Sequence, residues 1–203
     1  MTRSLLIFVP GILTLPGSAR NWSGRAVSHT HVHSAARAEK VEYFCGPIGR
    51  AFGQTDRVSK LYRTLDQYRD GWEITMVGHS NGCDVILDAL WGGAQWAQRI
   101  AALHLVCGAC ESNFHRNGLN TLLSSEMIGR VSVYVAKKDV ALRLARSWAG
   151  KLLGYGTLGL HGPKYVSPGV AEKVETIEWP SYGHSDCWED GEFSETMGNF
   201  LQR

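Results

Sequence analysis

The sequence predicts an α/β protein, with a mostly parallel sheet of about six strands and helices on both faces. Two observations carry this expectation. Short apolar runs of strand length alternate along the chain with stretches of helical periodicity. Strands that alternate with helices pair in parallel, because each helix must cross the sheet before the next strand begins. A third observation bounds the size: 203 residues suffice for one domain with a substantial core, so residues 1–203 are expected to form one unit.

Taken in order, Ser4–Val9 is the first strand, and Pro10-Gly11-Ile12 turns the chain at its carboxyl end. Helical spacing covers Trp22 to Arg37, with Trp22, Ala26, His29, His33 and Ala36 near one face. Val41–Cys45 reads as a second strand, closed by Gly46-Pro47. Asp56–Tyr68 is amphipathic through Val58, Leu61, Leu65 and Tyr68, with Thr55 or Asp56 as its cap. Ile74–Val77 is a buried strand, and Cys83 to Leu90 a helix. Ile100–Val106 is the next strand, followed by a helix near Leu119–Met127. Val131–Ala136 is the fifth strand, and Val140–Leu153 is helical. Gly154–Gly159 reads as a flexible loop at the rim of a cleft, Val174–Trp179 as the last strand, and Gly198–Leu201 as the end of a short terminal helix.

Composition removes several classes of function. A formal charge of +2 with scattered Lys and Arg gives no basic stripe for nucleic acid. No apolar run is long enough to span a bilayer. Arg3 to Val9 resembles the core of a signal peptide, but Pro10-Gly11 breaks it and no small-residue cleavage site follows. Five cysteines, an odd number, fit reduced thiols and a cytoplasmic location.

Between the Ile74–Val77 strand and the following helix lies Gly78-His79-Ser80-Asn81-Gly82, a Gly-x-Ser-x-Gly turn. The pentapeptide alone is a weak signal, but its position between strand and helix strengthens it. A turn this sharp holds the serine in a strained conformation, and side chains at Gly78 or Gly82 would collide with their neighbours. The serine hydroxyl is then presented at a helix N-terminus, where backbone amides favour negative charge.

A serine nucleophile needs a base, and the base needs an acid to fix its tautomer. Two loops at strand carboxyl ends offer them: Lys137-Lys138-Asp139 after the fifth strand, and the Pro180–Asp186 stretch containing His184 after the last. Asp186 competes with Asp139 for the acid role, although it stands only two residues from His184.

With Ser80, Asp139 and His184 in that chain order, the sequence resembles the α/β-hydrolase superfamily over nearly its whole length. The resemblance implies Ser80 as nucleophile, His184 as base and Asp139 as acid. It implies an oxyanion hole from the backbone N–H groups of Asn81 and Ile12, although the His-Gly often found in the family's first turn is Pro10-Gly11 here. It also implies a small, lid-poor member that hydrolyses carboxylic esters through an acyl-enzyme, with no cofactor and a small-molecule ester as partner. An amidase or thioesterase would use the same parts; a catalytically inactive binding protein would not need all three. Gly11, His79, Trp22 and Trp188 are the candidate substrate contacts.

Three other features invite a function. His29 and His33 share a helix face four residues apart, but nothing near them completes a metal ligand set, so no metal is expected. Cys107 and Cys110 have knuckle spacing without a second pair and read as buried thiols at a strand end. Gly154–Gly159 lacks the Lys-Ser/Thr of a phosphate loop.

Overall fold

A computed structural model describes residues 3–11, 22–43, 49–68, 71–92, 98–145 and 155–202. Six strands form one wholly parallel sheet: β1 (Arg3–Val9), β2 (Arg37–Lys40), β3 (Trp72–His79), β4 (Ile100–Val106), β5 (Ile128–Ala136) and β6 (Val174–Trp179). Their order is β2-β1-β3-β4-β5-β6, with β2 and β6 at the edges. The chain runs outward from β1 to β2, then returns past β1 to build the rest of the sheet. The carboxyl ends of β1 and β3 therefore lie side by side where the direction of winding reverses, the place where such sheets form their clefts.

Alternation along each central strand feeds two cores. Leu5, Ile7 and Val9 of β1 face one side, and Leu6 and Phe8 the other. On the first side pack helices α2 (Gly49–Leu65), α3 (Asn81–Gly92) and α4 (Leu119–Ser124), through residues such as Leu61, Leu65, Ile86 and Leu123. On the second side pack α1 (Trp22–His33) and the terminal helix, through Trp22, Ala26, Phe193, Met197 and Phe200. Six strands with both faces covered is the architecture the sequence predicts.

Several boundaries move. The second strand is Arg37–Lys40, not Val41–Cys45: Val41 and Tyr43 are buried past its end, and Phe44 and Cys45 lie outside the described residues. Arg37–Lys40 lacks a strand's apolar pattern because it is a sheet edge that buries Ala38 alone. Its Arg37 guanidinium lies over the Tyr68 ring, and its Glu39 accepts a hydrogen bond from the Tyr68 hydroxyl. To reach that edge the chain leaves α1 at His33, four residues before the expected end at Arg37. Helix α2 starts at Gly49, so Thr55 and Asp56 are interior rather than capping residues, and Asp56 instead pairs with Lys60 at 3.2 Å. Helix α4 stops at Ser124, three residues short of Met127.

After β5, helix α5 (Val140–Ala145) is the described part of the expected Val140–Leu153 helix; the rest lies outside the described residues. Of the glycine-rich stretch, Gly154 lies outside the described residues, and the glycines that follow are packed against backbone. The described part leads into a buried short helix, α6 (Leu158–His161). A Cβ on Gly156 would fall 1.9 Å from the Cys110 carbonyl oxygen, and one on Gly159 2.3 Å from the Cys107 backbone, so these glycines allow tight packing. The last helix, α7 (Asp190–Gln202), is 13 residues long rather than short.

Candidate active site

Ser80 follows β3 directly, with φ of 54°, in the left-handed region that a non-glycine residue adopts only under constraint. The constraint comes from neighbours on both sides. A Cβ on Gly82 would lie 2.1 Å from the Val9 carbonyl oxygen, and one on Gly78 2.9 Å from Ile86 Cδ1. The Ser80 N–H donates to the Val106 carbonyl at 2.9 Å, and its own carbonyl accepts from the Ala109 N–H at 3.0 Å. The turn is thus fixed to β4 as well as to β1. Asn81 opens α3, so its N–H belongs to the first helical turn, which has no intrahelical acceptor. Gly11 crosses in front of the serine: a Cβ there would meet Ser80 Cβ at 2.8 Å and Oγ at 3.4 Å.

Asp139 stands three residues beyond β5 and is fully buried. Its Oδ1 accepts the Leu142 N–H at 2.7 Å, which holds the carboxylate at the start of α5. Its Oδ2 lies 2.6 Å from His184 Nδ1. An ionised carboxylate can only accept, so Nδ1 carries the proton and Nε2 keeps its lone pair. His184 sits on the loop after β6, with its side chain 23% exposed. Asp186 bonds elsewhere, accepting the Gly183 N–H at 2.7 Å and bracing the loop around the histidine. No hydrogen bond joins the Ser80 hydroxyl to the His184 ring in this structure. Such contacts often tighten only once substrate is bound.

His79 is buried, next to Ser80 in the chain and against His184 in space. Its Nε2 lies 2.8 Å from the His184 carbonyl oxygen, and its ring is tilted against the His184 ring with centroids 4.9 Å apart. Burial, reinforced by the nearby His184, pushes its pKa down to about 3. Trp22 and Trp188 stack on each other at 3.9 Å, and both meet His79 edge-on. Both indoles are buried, and neither indole N–H has a partner among the described residues. The role of His79 between the two catalytic candidates is invisible in sequence; its only signal is adjacency to Ser80.

One group of three possible metal ligands occurs among the described residues: His79, Cys107 and His184, with ligand atoms within 4.8 Å of one another. The donors suit a metal poorly. A metal would need the Cys107 thiolate, and burial, with Cys187 and the two aspartates adding to it, drives that thiol's pKa well up. His29 and His33 do meet, ring to ring at 4.3 Å, without a third ligand beside them among the described residues. Cys107 and Cys110 are buried and in no disulfide among the described residues, as their strand-end position suggests. Ile12 lies outside the described residues. A charged groove of about 430 Å³ beside β2, lined by Glu39, Lys40, Lys60 and Arg63 among others, lies away from these groups.

Comparison with known proteins extends the picture at the level of fold. No protein-family profile and no curated protein matches the chain. Solved structures do. The mouse alpha/beta hydrolase domain-containing protein 10 superposes over 96% of this chain and 87% of its own, with TM-score 0.56 and 13% identity. A lipase-esterase related protein from Clostridium acetobutylicum covers 98% of this chain and 94% of its own, with TM-score 0.57 and 12% identity. A structure of the metagenome-derived lipolytic enzymes LipS and LipT covers 98% and 93%, with TM-score 0.55 and 9% identity. The chain has the α/β-hydrolase fold. Among the described residues, no helix is long and apolar enough to cross a membrane.

Proposed function

We propose that this protein is a serine hydrolase that cleaves carboxylic esters through an acyl-enzyme. The observation that carries the reading is the 2.6 Å contact between Asp139 Oδ2 and His184 Nδ1, on the same sheet edge as a serine held at positive φ. A buried carboxylate bonded to Nδ1 fixes the tautomer a general base needs. His184 Nε2 takes the Ser80 proton as Oγ attacks the ester carbonyl. The Asn81 N–H, with Ile12 as the second donor, receives the oxyanion. His184 returns the proton to the leaving alcohol, then activates water to release the acid and free the serine.

Gly11 forms the wall over the nucleophile, since only a residue without a side chain fits in front of Ser80 Oγ. His79, Trp22 and Trp188, packed ring against ring beside Ser80 and His184, are the further substrate contacts of this reading. The buried free thiols support a cytoplasmic setting.

The test combines fluorophosphonate labelling with turnover of p-nitrophenyl esters of graded chain length. Wild type is expected to label at Ser80. Folded Ser80→Ala should lose label and roughly 10⁴-fold or more of its activity. A folded Ser80→Ala protein with near-normal turnover rejects the reading, and faster turnover of matched thioesters or amides redirects it to those bonds.

A further inference from the structure

We propose that His79 is a positioning residue that clamps the backbone of His184 and so sets the distance between base and nucleophile. The inference rests on the serine-hydrolase reading and adds to it a residue outside the triad.

The base loop is anchored by packing only near its ends, where Tyr182 is partly buried and Cys187 and Trp188 are buried. It leaves β6, an edge strand without a fully buried residue, and most of Ser181 to Asp186 is exposed or half-exposed. Between those anchors its place is set by directed bonds. On the β5 side, Lys138 N–H donates to the Tyr182 carbonyl at 3.1 Å, and Asp139 holds the ring through Nδ1. Within the loop, Asp186 braces Gly183. From the nucleophile's own strand comes the bond from His79 Nε2 to the His184 carbonyl, at 2.8 Å.

A carbonyl oxygen can only accept, so His79 Nε2 carries a hydrogen and donates it. Burial keeps the ring neutral at working pH, which fixes it as the Nε2–H tautomer. The two tryptophans meet the ring edge-on and restrict its rotation. A rigid donor one residue before Ser80 thus grips the backbone of His184, while Asp139 grips its ring. Two fixed points orient the imidazole, and the nucleophile's peptide neighbour supplies one of them. Catalytic geometry tolerates little slack: a misplacement of about 1 Å can cost on the order of 10²-fold in rate.

Three substitutions separate clamping from packing. His79→Gln can place an amide N–H near the position of Nε2. His79→Met has similar reach and suits the aromatic surroundings but has no donor. His79→Asn is polar but too short to reach. We expect phosphonylation by the fluorophosphonate to stay within about 3-fold of wild type in His79→Gln and to fall about 30-fold or more in His79→Met and His79→Asn, with ester KM little changed. In parallel, NMR should show the downfield proton shared by His184 Nδ1 and Asp139 retained in wild type and His79→Gln. Its exchange with water should be at least about 10-fold faster in the other two. If all variants behave alike in both measurements, or if His79→Gln falls with His79→Met, the clamp is overturned. If wild type is not phosphonylated at Ser80, the serine-hydrolase reading fails by itself, and the ring proton still decides whether His79 holds His184. Should His79→Met or His79→Asn not fold, the other supplies the comparison.

Discussion

Ser80 and His184, the proposed nucleophile and base, are held in place by different physics. Ser80 lies at the centre of the sheet, where β3 is flanked by β1 and β4 and both faces are buried. Its strained backbone is imposed by contact: Gly78 and Gly82 have no room for another atom, and Val106 and Ala109 hold the turn by its peptide groups. His184 lies beyond an edge strand with an exposed face, and polar bonds from His79, Asp139 and Lys138 secure its loop. Packing is cooperative and hard to perturb without loss of stability, whereas individual hydrogen bonds can be removed one at a time. Mutations at the elbow should therefore act first on folding, and mutations at the base loop first on rate.

The largest expected effect on rate comes from Asp139→Asn. The amide cannot play the carboxylate's part toward both Nδ1–H and the Leu142 N–H while stabilising an imidazolium. A loss of about 10⁴-fold in kcat is expected, with circular dichroism and Tm close to wild type. A loss of fold along with activity would show that Asp139 is part of the packing side of the comparison.

Gly82→Ala tests the other side. The added methyl would sit 2.1 Å from the Val9 carbonyl oxygen and 2.6 Å from that of Pro10, both backbone atoms with little freedom to move. Overpacking of this kind costs roughly 1–3 kcal/mol or more, so chemical denaturation should show a clear fall in stability. An Ala variant as stable as wild type but inactive would mean that the elbow yields locally instead of resisting.

Much of this division was legible in the sequence. Gly78, Ser80 and Gly82 announce a tight turn because the chemistry of the turn limits which residues fit. The central strands Ile100–Val106 and β3 announce themselves because both faces are buried, which demands continuous apolar residues. Arg37–Lys40 was missed for the converse reason: an edge strand pays little for polar residues, and the more apolar Val41–Tyr43 beside it drew the assignment. Gly156 and Gly159 were read as flexibility, whereas close backbone approach, equally demanding of glycine, is what they serve. Asp139 and His184 could be paired from strand-end logic. The bond from His79 to a backbone carbonyl 105 residues away leaves no trace in the sequence.

His79 also links the two regions through pH. Its ordinary pKa is near 6.5, and burial lowers it to about 3 in the folded protein. Between those values the unfolded chain takes up a proton that the folded chain refuses. This contribution to stability is therefore complete above about pH 6.5 and is lost as the pH falls toward 3, by about 1.4 kcal/mol per unit. Denaturation of wild type and His79→Gln across pH 4 to 7 should show a shallower acid loss in the variant. Other groups, His29 among them, titrate in both proteins and cancel in the difference. Parallel curves would mean that His79 is as well solvated folded as unfolded.

The smallest effect is expected from Asp186→Asn, and it bears on the choice of acid. Asp186 is adjacent to His184 in sequence, but its Oδ2 accepts the Gly183 N–H at 2.7 Å. Asn retains an acceptor oxygen in the same position, so the loop's local brace survives. The ring stays oriented by Asp139 and the backbone by His79, neither of which Asp186 touches through a recorded bond. Turnover of a short-chain ester should fall by no more than about 10-fold, while the pH at which kcat/KM rises should stay in place, because the carboxylate that stabilises the imidazolium is unchanged. Side-by-side measurement with Asp139→Asn makes the outcome decisive. If Asp186→Asn is crippled and Asp139→Asn is not, the acid has been misassigned, and the 2.6 Å contact at His184 Nδ1 orients the ring without serving the reaction.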